Sequence, residues 1–173
     1  MKIVFRATTA FLDEVRTDLR RKHLFAYERV GWIAVKPAMA GETLLLLASA
    51  YHPVADEHYV RDPAIGARFG AAAMTDALSL ALRDNVGMFN VHLHGHLGRP
   101  RFSRTDLREQ PKFLPDFLAM RRDLPHGALL LSDDQIIGQV LLSRQEVKPI
   151  DEFHIVGRKN QSSFRRWLGR LRW

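Results

Sequence analysis

The sequence predicts an α/β (or α+β) domain in which one mixed β-sheet is flanked by helices. Short segments with the alternation or apolar content of strands recur from the first residues to about residue 156. Amphipathic segments with the spacing of helices separate them. The 173 residues suit a single core, and 46% hydrophobic with 26% charged residues is typical of a globular protein.

The first half of the chain predicts a strand, a helix and a pair of strands. KIVFRA alternates in polarity as a strand does, and residues 10–22 form an amphipathic helical pattern. ERVGWIAVKPA predicts a strand that stops at Pro37. ETLLLLASAYHP, which follows a turn at Ala-Gly, predicts its hairpin partner. A weaker extended segment is predicted around EHYVRD.

The second half predicts two helical regions and further strands. The longest helix is predicted from Pro63 to about Asn85, and its buried stripe comprises Ile65, Phe69, Met74, Leu78 and Leu82. MFNVHLH predicts a buried strand. SRTDLREQPKFLPDFLAMRRDL predicts a helix that Pro111 and Pro115 break into two pieces. GALLLSDDQIIGQVLLS predicts two strands around an Asp-Asp turn, and EFHIVG predicts a last strand.

The basic excess of the chain is concentrated at its end. The formal net charge is +7, and residues 158–173 contain six basic residues and no acidic one. Apolar residues recur there at helical spacing, so the sequence predicts a domain of residues 1–156 and a basic amphipathic tail of residues 157–173. The tail is either a helix packed on the domain or a docking segment for an acidic partner or nucleic acid; its four apolar residues are too few for a membrane.

Histidine and the carboxylates are the available metal ligands. The chain has no cysteine, which excludes thiolate nucleophiles and cysteine-based zinc ribbons. Of the eight histidines, His52 lies at a predicted strand end and His126 in a Pro-His-Gly turn, and both are predicted to be solvated.

The N-terminus predicts a cytoplasmic protein. Asp13 and Glu14 follow the start too closely for the apolar region of a secretory signal peptide. The longest apolar run, TLLLLASA, is far below the roughly 18 residues that a membrane-spanning helix needs. We therefore expect no membrane segment.

The most informative segment is NVHLHGHLGRPRFSRTDLRE, residues 90–109. Residues two apart on a strand point to the same side, so His92 and His94 project together. Asp106 follows after a glycine-containing loop, near a predicted helix start at Ser103. Two imidazoles and one carboxylate leave a tetrahedral position open, which is typical of catalytic zinc. Because a lone H-x-H is more often a surface or core feature, the downstream serine and aspartate carry much of the prediction.

HLHGHLGRPRFSRTD resembles the signature of the JAMM metalloproteases, which have an MPN domain: a strand-borne H-x-H, a short loop and S-x-x-D. The family also has a glutamate on an early strand, followed by glycine and apolar residues. YERVGWIAV supplies it as Glu28, with Gly31 three residues later. The resemblance covers roughly residues 1–156 and implies the MPN/JAB-like (cytidine-deaminase-like) fold.

The resemblance implies a role for each matching residue. His92, His94 and Asp106 would bind Zn²⁺. Glu28 would act as general base and then as general acid, and Ser103 would donate a hydrogen bond to the oxyanion. From the residues alone, Ser103 is equally well explained as the N-cap of the following helix, and both roles can hold together.

The segment departs from the family pattern in two places. Gly95 stands where the family has proline, and the interval from His94 to Ser103 is one residue longer than usual. Counting from His96 makes the interval one residue shorter, so His94 and His96 are the alternative ligand pair. His92 and His94 are preferred because FNVHLH continues the strand alternation and Gly95 indicates a bend.

The resemblance implies a zinc-dependent isopeptidase that cleaves a ubiquitin-like modifier after its C-terminal glycine, from a target or a precursor. Its partners would be the modifier or its conjugate, and activating and conjugating enzymes of the same operon in a bacterial, antiphage conjugation system. Arg29, Arg99 and Arg101 are predicted to steer an acidic modifier. The alternatives are a non-catalytic MPN-like scaffold and a basic nucleic-acid-binding protein; the latter is disfavoured because the charge is confined to the tail.

Overall fold

The structure is a computed structural model that describes residues 1–23, 26–62, 66–143 and 146–157. The strands, in chain order, are β1 (Lys2–Thr8), β2 (Val30–Ala40), β3 (Thr43–Pro53), β4 (Gly87–Leu93), β5 (His126–Leu131), β6 (Ile136–Ser143), β7 (Glu146–Pro149) and β8 (Glu152–Val156). The α-helices are α1 (Thr9–Leu19), α2 (Ala71–Asp84) and α3 (Arg104–Met120). Apart from Gly157, the predicted basic tail lies outside the described residues.

All eight strands belong to one sheet, in the order β7-β6-β5-β4-β2-β3-β1-β8. The pairs β1–β3, β1–β8 and β4–β5 are parallel, and the remaining neighbours are antiparallel. The prediction of a mixed sheet flanked by helices is therefore confirmed. Among the described helices, none is both long and apolar enough to cross a membrane.

The two faces of the sheet carry separate apolar cores. On one face, Phe5, Ile33 and Phe89 pack with the α1 residues Leu12 and Val15. On the other face, the buried residues come from β2, β4, α2 and α3, and include Trp32, Ala77, Met88 and Phe117. Side chains alternate across a strand, so the even-numbered residues of β4 point to the α2/α3 side. That side is where the chemically interesting residues lie.

Helix α2 is shorter than predicted and packs through a different face. It begins at Ala71 rather than Pro63, and residues 63–65 lie outside the described residues. Its buried residues are Ala73, Ala77 and Ala81, whereas Leu82 of the predicted stripe is 45% exposed. The small alanine side chains bring the helix close to the sheet, and the larger side chains are left at the margins of the contact.

The segment before α2 was also predicted incorrectly. EHYVRD forms no strand; residues Asp56–His58 make a short 3₁₀ turn, and Tyr59 forms an isolated antiparallel bridge with Phe69. Val60 N donates to Arg68 O at 2.7 Å. This bridge holds the residues before α2 beside the end of β3.

Two predictions based on proline were wrong. Helix α3 runs unbroken through Pro111 and Pro115. The carbonyl that Pro111 leaves without an intrahelical donor belongs to Leu107, which is 54% exposed and so within reach of water. Strand β2 continues past Pro37 to Ala40, because β4 pairs with β2 only as far as Val35 and the proline needs no donor on that side.

Candidate metal centre

The register between β2 and β4 places Glu28 opposite His94. The two strands are antiparallel, and Val30 pairs with His92. Continuing this register by two residues brings Glu28 and His94 across from each other, on the same side of the sheet as His92. The observed separation of Glu28 Oε1 and His94 Nε2 is 3.9 Å.

Four ionisable side chains therefore meet at one end of β4. Glu28, His92 and His94 each offer a ligand atom, and these three atoms lie within 4.8 Å of one another. Asp106 lies against both imidazoles, with Oδ1 3.3 Å from His92 Nε2 and Oδ2 3.9 Å from His94 Nε2. The group can hold a metal ion. Which of the two carboxylates is a ligand and which is the base stays a prediction.

The Nε2 atom of His92 supports a metal site in particular. His92 is 4% exposed, and its Nε2 is buried without a hydrogen-bond partner among the described residues; the 3.3 Å contact with Asp106 lacks hydrogen-bond geometry. A buried polar atom without a partner costs free energy. A divalent ion at this nitrogen would remove that cost, so the residues present fit a bound metal.

Asp106 is held in place by the start of α3. Ser103 is the N-cap: its Oγ accepts from Asp106 N at 3.1 Å, and Ser103 N donates to Asp106 Oδ2 at 2.7 Å. Burial alone would raise the pKa of Asp106, but the His92 imidazole and the Ser103 hydrogen bonds outweigh burial and lower this pKa to about 2. The carboxylate is ionised at neutral pH, as a metal ligand must be.

His94 also has the protonation state that a metal requires. The pKa of His94 is lowered, mainly by burial and also by the neighbouring His92. Glu28 and Asp106 act in the opposite direction but do not outweigh these effects. A neutral imidazole leaves one ring nitrogen free to coordinate. The rings of His92 and His94 are 5.1 Å apart between centroids.

His96, the alternative ligand, lies outside this group. It is exposed, and its Nδ1 lies 2.9 Å from Leu97 O. The loop that carries it is fixed to the turn between β5 and β6: Asp133 N donates to His96 O at 3.0 Å, and Gly98 N donates to Asp134 Oδ1 at 2.8 Å. These contacts favour His92 and His94 as the pair.

Gly66 fits closely against Glu28. Its carbonyl accepts hydrogen bonds from Tyr27 N at 2.9 Å and Glu28 N at 3.0 Å. A Cβ atom at residue 66 would lie 2.7 Å from Glu28 Oε2 and 2.8 Å from Cδ. Any side chain at this position would displace the carboxylate.

Aromatic packing joins the segment of Gly66 to α3. The rings of Phe69 and Phe113 meet edge to face at 5.4 Å, and Trp32 contacts them at 5.6 and 5.9 Å. Phe69 precedes α2 and Phe113 belongs to α3, so the cluster fixes the two elements that supply Gly66 and Asp106. Because Gly66 lies against Glu28, this packing also affects the separation of the Glu28 and Asp106 carboxylates.

All five predicted site residues line one cavity of about 210 Å³: Glu28, His92, His94, Ser103 and Asp106. A neighbouring groove of about 470 Å³ shares Ala67, Phe69, Glu109 and Phe113 with this cavity. A separate groove of about 370 Å³ near Pro37 and Leu124 is farther along the sheet and contains no histidine.

Comparisons with known proteins add no assignment. No protein-family model matches the chain, and a search of curated proteins finds no match.

Two predictions about surrounding residues are wrong. Arg29 is 3% exposed and donates to Asp56 Oδ1 at 2.6 Å and to Arg21 O at 2.8 Å, so it is unavailable to a partner. Arg99 and Arg101 are exposed.

His126, predicted to be solvated, is fully buried. It accepts from Met88 N through Nδ1 at 3.1 Å, so Nε2 carries the proton and donates to Arg121 O at 3.1 Å. Burial, with the charge of Arg121, lowers the pKa of His126 to about 4. The residue is a hydrogen-bonded core histidine.

Three residues around the site were missed. Asn90 lines the cavity on the same face of β4 as His92, and Gln110 lines it one helical turn after Asp106. The two-residue and four-residue spacings were visible signals for both. Gly66 had no such signal, because its contact with Glu28 depends on the path of the chain between β3 and α2.

Proposed function

We propose that the chain is a zinc-dependent hydrolase of the JAMM type, with an MPN-like fold, that acts as an isopeptidase. One observation carries the proposal: Glu28, His92, His94 and Asp106 converge around a buried imidazole nitrogen that has no hydrogen-bond partner among the described residues. These four residues come from β4, α3 and the segment before β2. Chance proximity of surface charges does not explain their convergence.

The proposal gives each residue a task. His92, His94 and Asp106 would hold the metal through the ring nitrogens and a carboxylate oxygen. A bound Zn²⁺ would supply a Lewis acid and a lowered pKa for water at its open position, toward about 7. Glu28, whose side chain is 35% exposed and whose Oε1 lies 3.9 Å from His94 Nε2, would take up a proton from the water and deliver it to the leaving amine.

Ser103 would act at the rim of the cavity. Its Oγ accepts from Asp106 N, which leaves the hydroxyl proton free to donate. Donation to the oxygen that becomes negatively charged would stabilise the transition state. The capping role and this role use different atoms of the same hydroxyl.

The substrate in this proposal is a ubiquitin-like modifier joined through its C-terminal glycine to a lysine or a precursor extension. Activating and conjugating enzymes of the same system are proposed partners. The groove beside the cavity is lined by Phe69 and Phe113 and by exposed ion pairs, in which Arg68 binds Asp62 while Arg108 and Lys112 bind Glu109. It therefore offers apolar contacts and paired charges to an extended chain. A cytoplasmic location is part of the same proposal.

The experiment has a metal arm and a hydrolysis arm. The chain is loaded with zinc, its metal content is measured by mass spectrometry, and it is incubated with ubiquitin-like precursors that carry a short peptide after the terminal glycine. We expect about one zinc per chain. We expect cleavage after the glycine, abolished by chelator and reduced at least 10²-fold by Glu28→Gln. Glu57→Gln, an exposed glutamate outside the cavity, is the matched control.

Each alternative gives a different result. Zinc binding with no cleavage of any precursor would favour a non-catalytic scaffold. Salt-dependent binding to DNA that survives chelation, without bound zinc, would favour the nucleic-acid-binding alternative. Full activity of Glu28→Gln with zinc still bound would contradict the general-base role.

A further inference from the structure

Two carboxamides are buried in the cavity beside the metal centre. Asn90 is 5% exposed and Gln110 is 4% exposed, and both line the 210 Å³ cavity. Asn90 lies on β4 two residues before His92, and Gln110 lies on α3 four residues after Asp106. Buried polar groups of this kind are expected to have all their hydrogen bonds satisfied.

Each carboxamide uses only one of its two polar atoms within the described part of the chain. Asn90 Nδ2 donates to Gly31 O at 3.4 Å, and the Gly31 carbonyl fixes this orientation because it can only accept. Gln110 Oε1 accepts from Gln139 Nε2. Asn90 Oδ1 makes no hydrogen bond to a described residue, and neither does Gln110 Nε2 in the orientation in which Gln139 donates, so this orientation leaves one acceptor and one donor.

These two atoms open onto the cavity. Trp32 Nε1 and His92 Nε2 are buried polar atoms that have no hydrogen-bond partner among the described residues, and neither Asn90 Oδ1 nor Gln110 Nε2 is buried from solvent in this way. Because both side chains are almost fully buried and line the cavity, the solvent that reaches these atoms must do so through it. A ligand that enters the cavity displaces that water and has to replace its hydrogen bonds.

We propose that Asn90 and Gln110 form an amide-binding subsite on the floor of the cavity. An amide presents one donor and one acceptor, which match the free acceptor of Asn90 and the free donor of Gln110. A carboxylate has no donor for Asn90 Oδ1 and would approach Glu28 and Asp106. An ammonium group has no acceptor for Gln110, and an apolar group would leave both atoms unpaired.

The subsite predicts that the substrate carries an amide group that enters the cavity. This inference rests on the proposed function in so far as the amide belongs to the molecule that is cleaved. The amide can be a main-chain peptide group next to the scissile bond or a terminal carboxamide of a side chain. The cavity of about 210 Å³ is larger than the roughly 150 Å³ that accommodates benzene, so either group fits by volume.

The first experiment needs no metal and no turnover. Side-chain amide resonances of the ¹⁵N-labelled, chelator-treated full chain are followed by NMR during titration with propionamide, N-methylpropionamide, propionate, propylammonium and 1-propanol. Asn90→Leu and Gln110→Leu assign the two resonances and remove one polar partner each with little change in volume. Gln135→Leu, an exposed carboxamide on the turn before β6, is the matched control.

The expected result is saturable binding of propionamide, with the propionate, propylammonium and alcohol probes at least about fivefold weaker, the effect of losing one net hydrogen bond. Asn90→Leu and Gln110→Leu each weaken propionamide by a similar factor, and Gln135→Leu does not. Equal binding of N-methylpropionamide assigns a main-chain amide; loss of its binding assigns a terminal carboxamide.

A second experiment uses the zinc-loaded chain. Two hydroxamates of equal length, one ending in a carboxamide and one in an isopropyl group, are compared by calorimetry. The carboxamide form should bind more tightly in the wild-type chain, and Asn90→Leu should remove that preference.

Three results would overturn the subsite: equal binding of all the three-carbon probes, no saturable shift with propionamide, or unchanged propionamide affinity in both leucine variants. Failure of hydrolysis with a positive titration would overturn the proposed function and leave the subsite standing.

Discussion

Replacing Gly66 by alanine should move the Glu28 carboxylate and leave the fold intact. Gly66 is not one of the described glycines with a positive φ, so its backbone is compatible with alanine. The atoms that the new methyl group would meet belong to the far end of the flexible Glu28 side chain. The carboxylate therefore gives way before the backbone does.

The size of the displacement follows from the contact distances. A Cβ atom would lie 2.7 Å from Glu28 Oε2, whereas ordinary van der Waals contacts begin at 3.4 Å. The carboxylate has to move by at least about 0.7 Å, the difference between these two distances. A misplacement of about 1 Å of a catalytic group costs about 10²-fold in rate, or about 2.7 kcal/mol of transition-state stabilisation.

The assay is steady-state cleavage of the glycine-terminated precursor by zinc-loaded Gly66→Ala, together with zinc affinity measured by competition with a chelator. We expect kcat to fall about 10²-fold while zinc affinity and the free energy of unfolding stay near those of the wild type. Gly70→Ala is the matched control, because a Cβ there would meet His58 O and Val60 Cγ2 at 3.4 Å, an ordinary contact.

Two results would refute this reasoning. Unchanged kcat in Gly66→Ala would show that the position of Glu28 does not limit catalysis. A large loss of zinc affinity would instead indicate that Glu28 is itself a metal ligand.

Three further predictions concern the cap, a buried histidine and the metal. Ser103→Ala should lower the free energy of unfolding by about 1 kcal/mol in urea titrations, and Ser103→Asn should retain it; equal stability of all three chains would remove the capping role. The folded-state pKa of His126, about 4, lies below the unfolded value of about 6.5. The free energy of unfolding that neutral His126 contributes is therefore complete above about pH 6.5 and is lost as the pH falls toward 4. The loss amounts to about 3 kcal/mol, measured as the pH dependence of urea unfolding, and the slope should flatten in His126→Gln. Zinc at about 100 times its dissociation constant should add about 2.7 kcal/mol to the free energy of unfolding and raise Tm by about 5–10 °C. The same rise in Tm in His92→Asn would contradict the assignment of His92 as a ligand.

The periodicity of the sequence was enough to predict most of the strands, but it predicted the helices less well. The alternation of KIVFRA and the apolar runs of β3, β5 and β6 are local properties, and each appears at its predicted place. Helix α2 differs because alanines pack well only when a sheet lies close to them, which is a tertiary condition. Strand β7 was missed because it has four mostly exposed residues at the edge of the sheet.

The site was predictable where it depended on spacing along one element. His92 and His94 share a face because they are two residues apart on a strand, and Ser103 caps the helix that carries Asp106. The proximity of Glu28 and His94 required the register of β2 against β4, and the contact with Gly66 required the path of a loop. A single sequence contains neither.

Charge alone was a poor guide to exposure. Arg29 was expected to face a partner because it follows Glu28 in sequence. Strand alternation turns it to the opposite side, where Asp56 and two backbone carbonyls bind its guanidinium. His126 was expected in solvent because Pro-His-Gly indicates a turn, yet it begins β5 and is buried between that strand and the end of α3.

The most direct measurement is an anomalous difference map, at the zinc absorption edge, from crystals grown with zinc. The account predicts a single strong peak within coordination distance of His92 Nε2, His94 Nε2 and an oxygen of Asp106, with the Glu28 carboxylate next to the remaining position. A peak elsewhere, no peak, or Asp106 turned away from both imidazoles would contradict it.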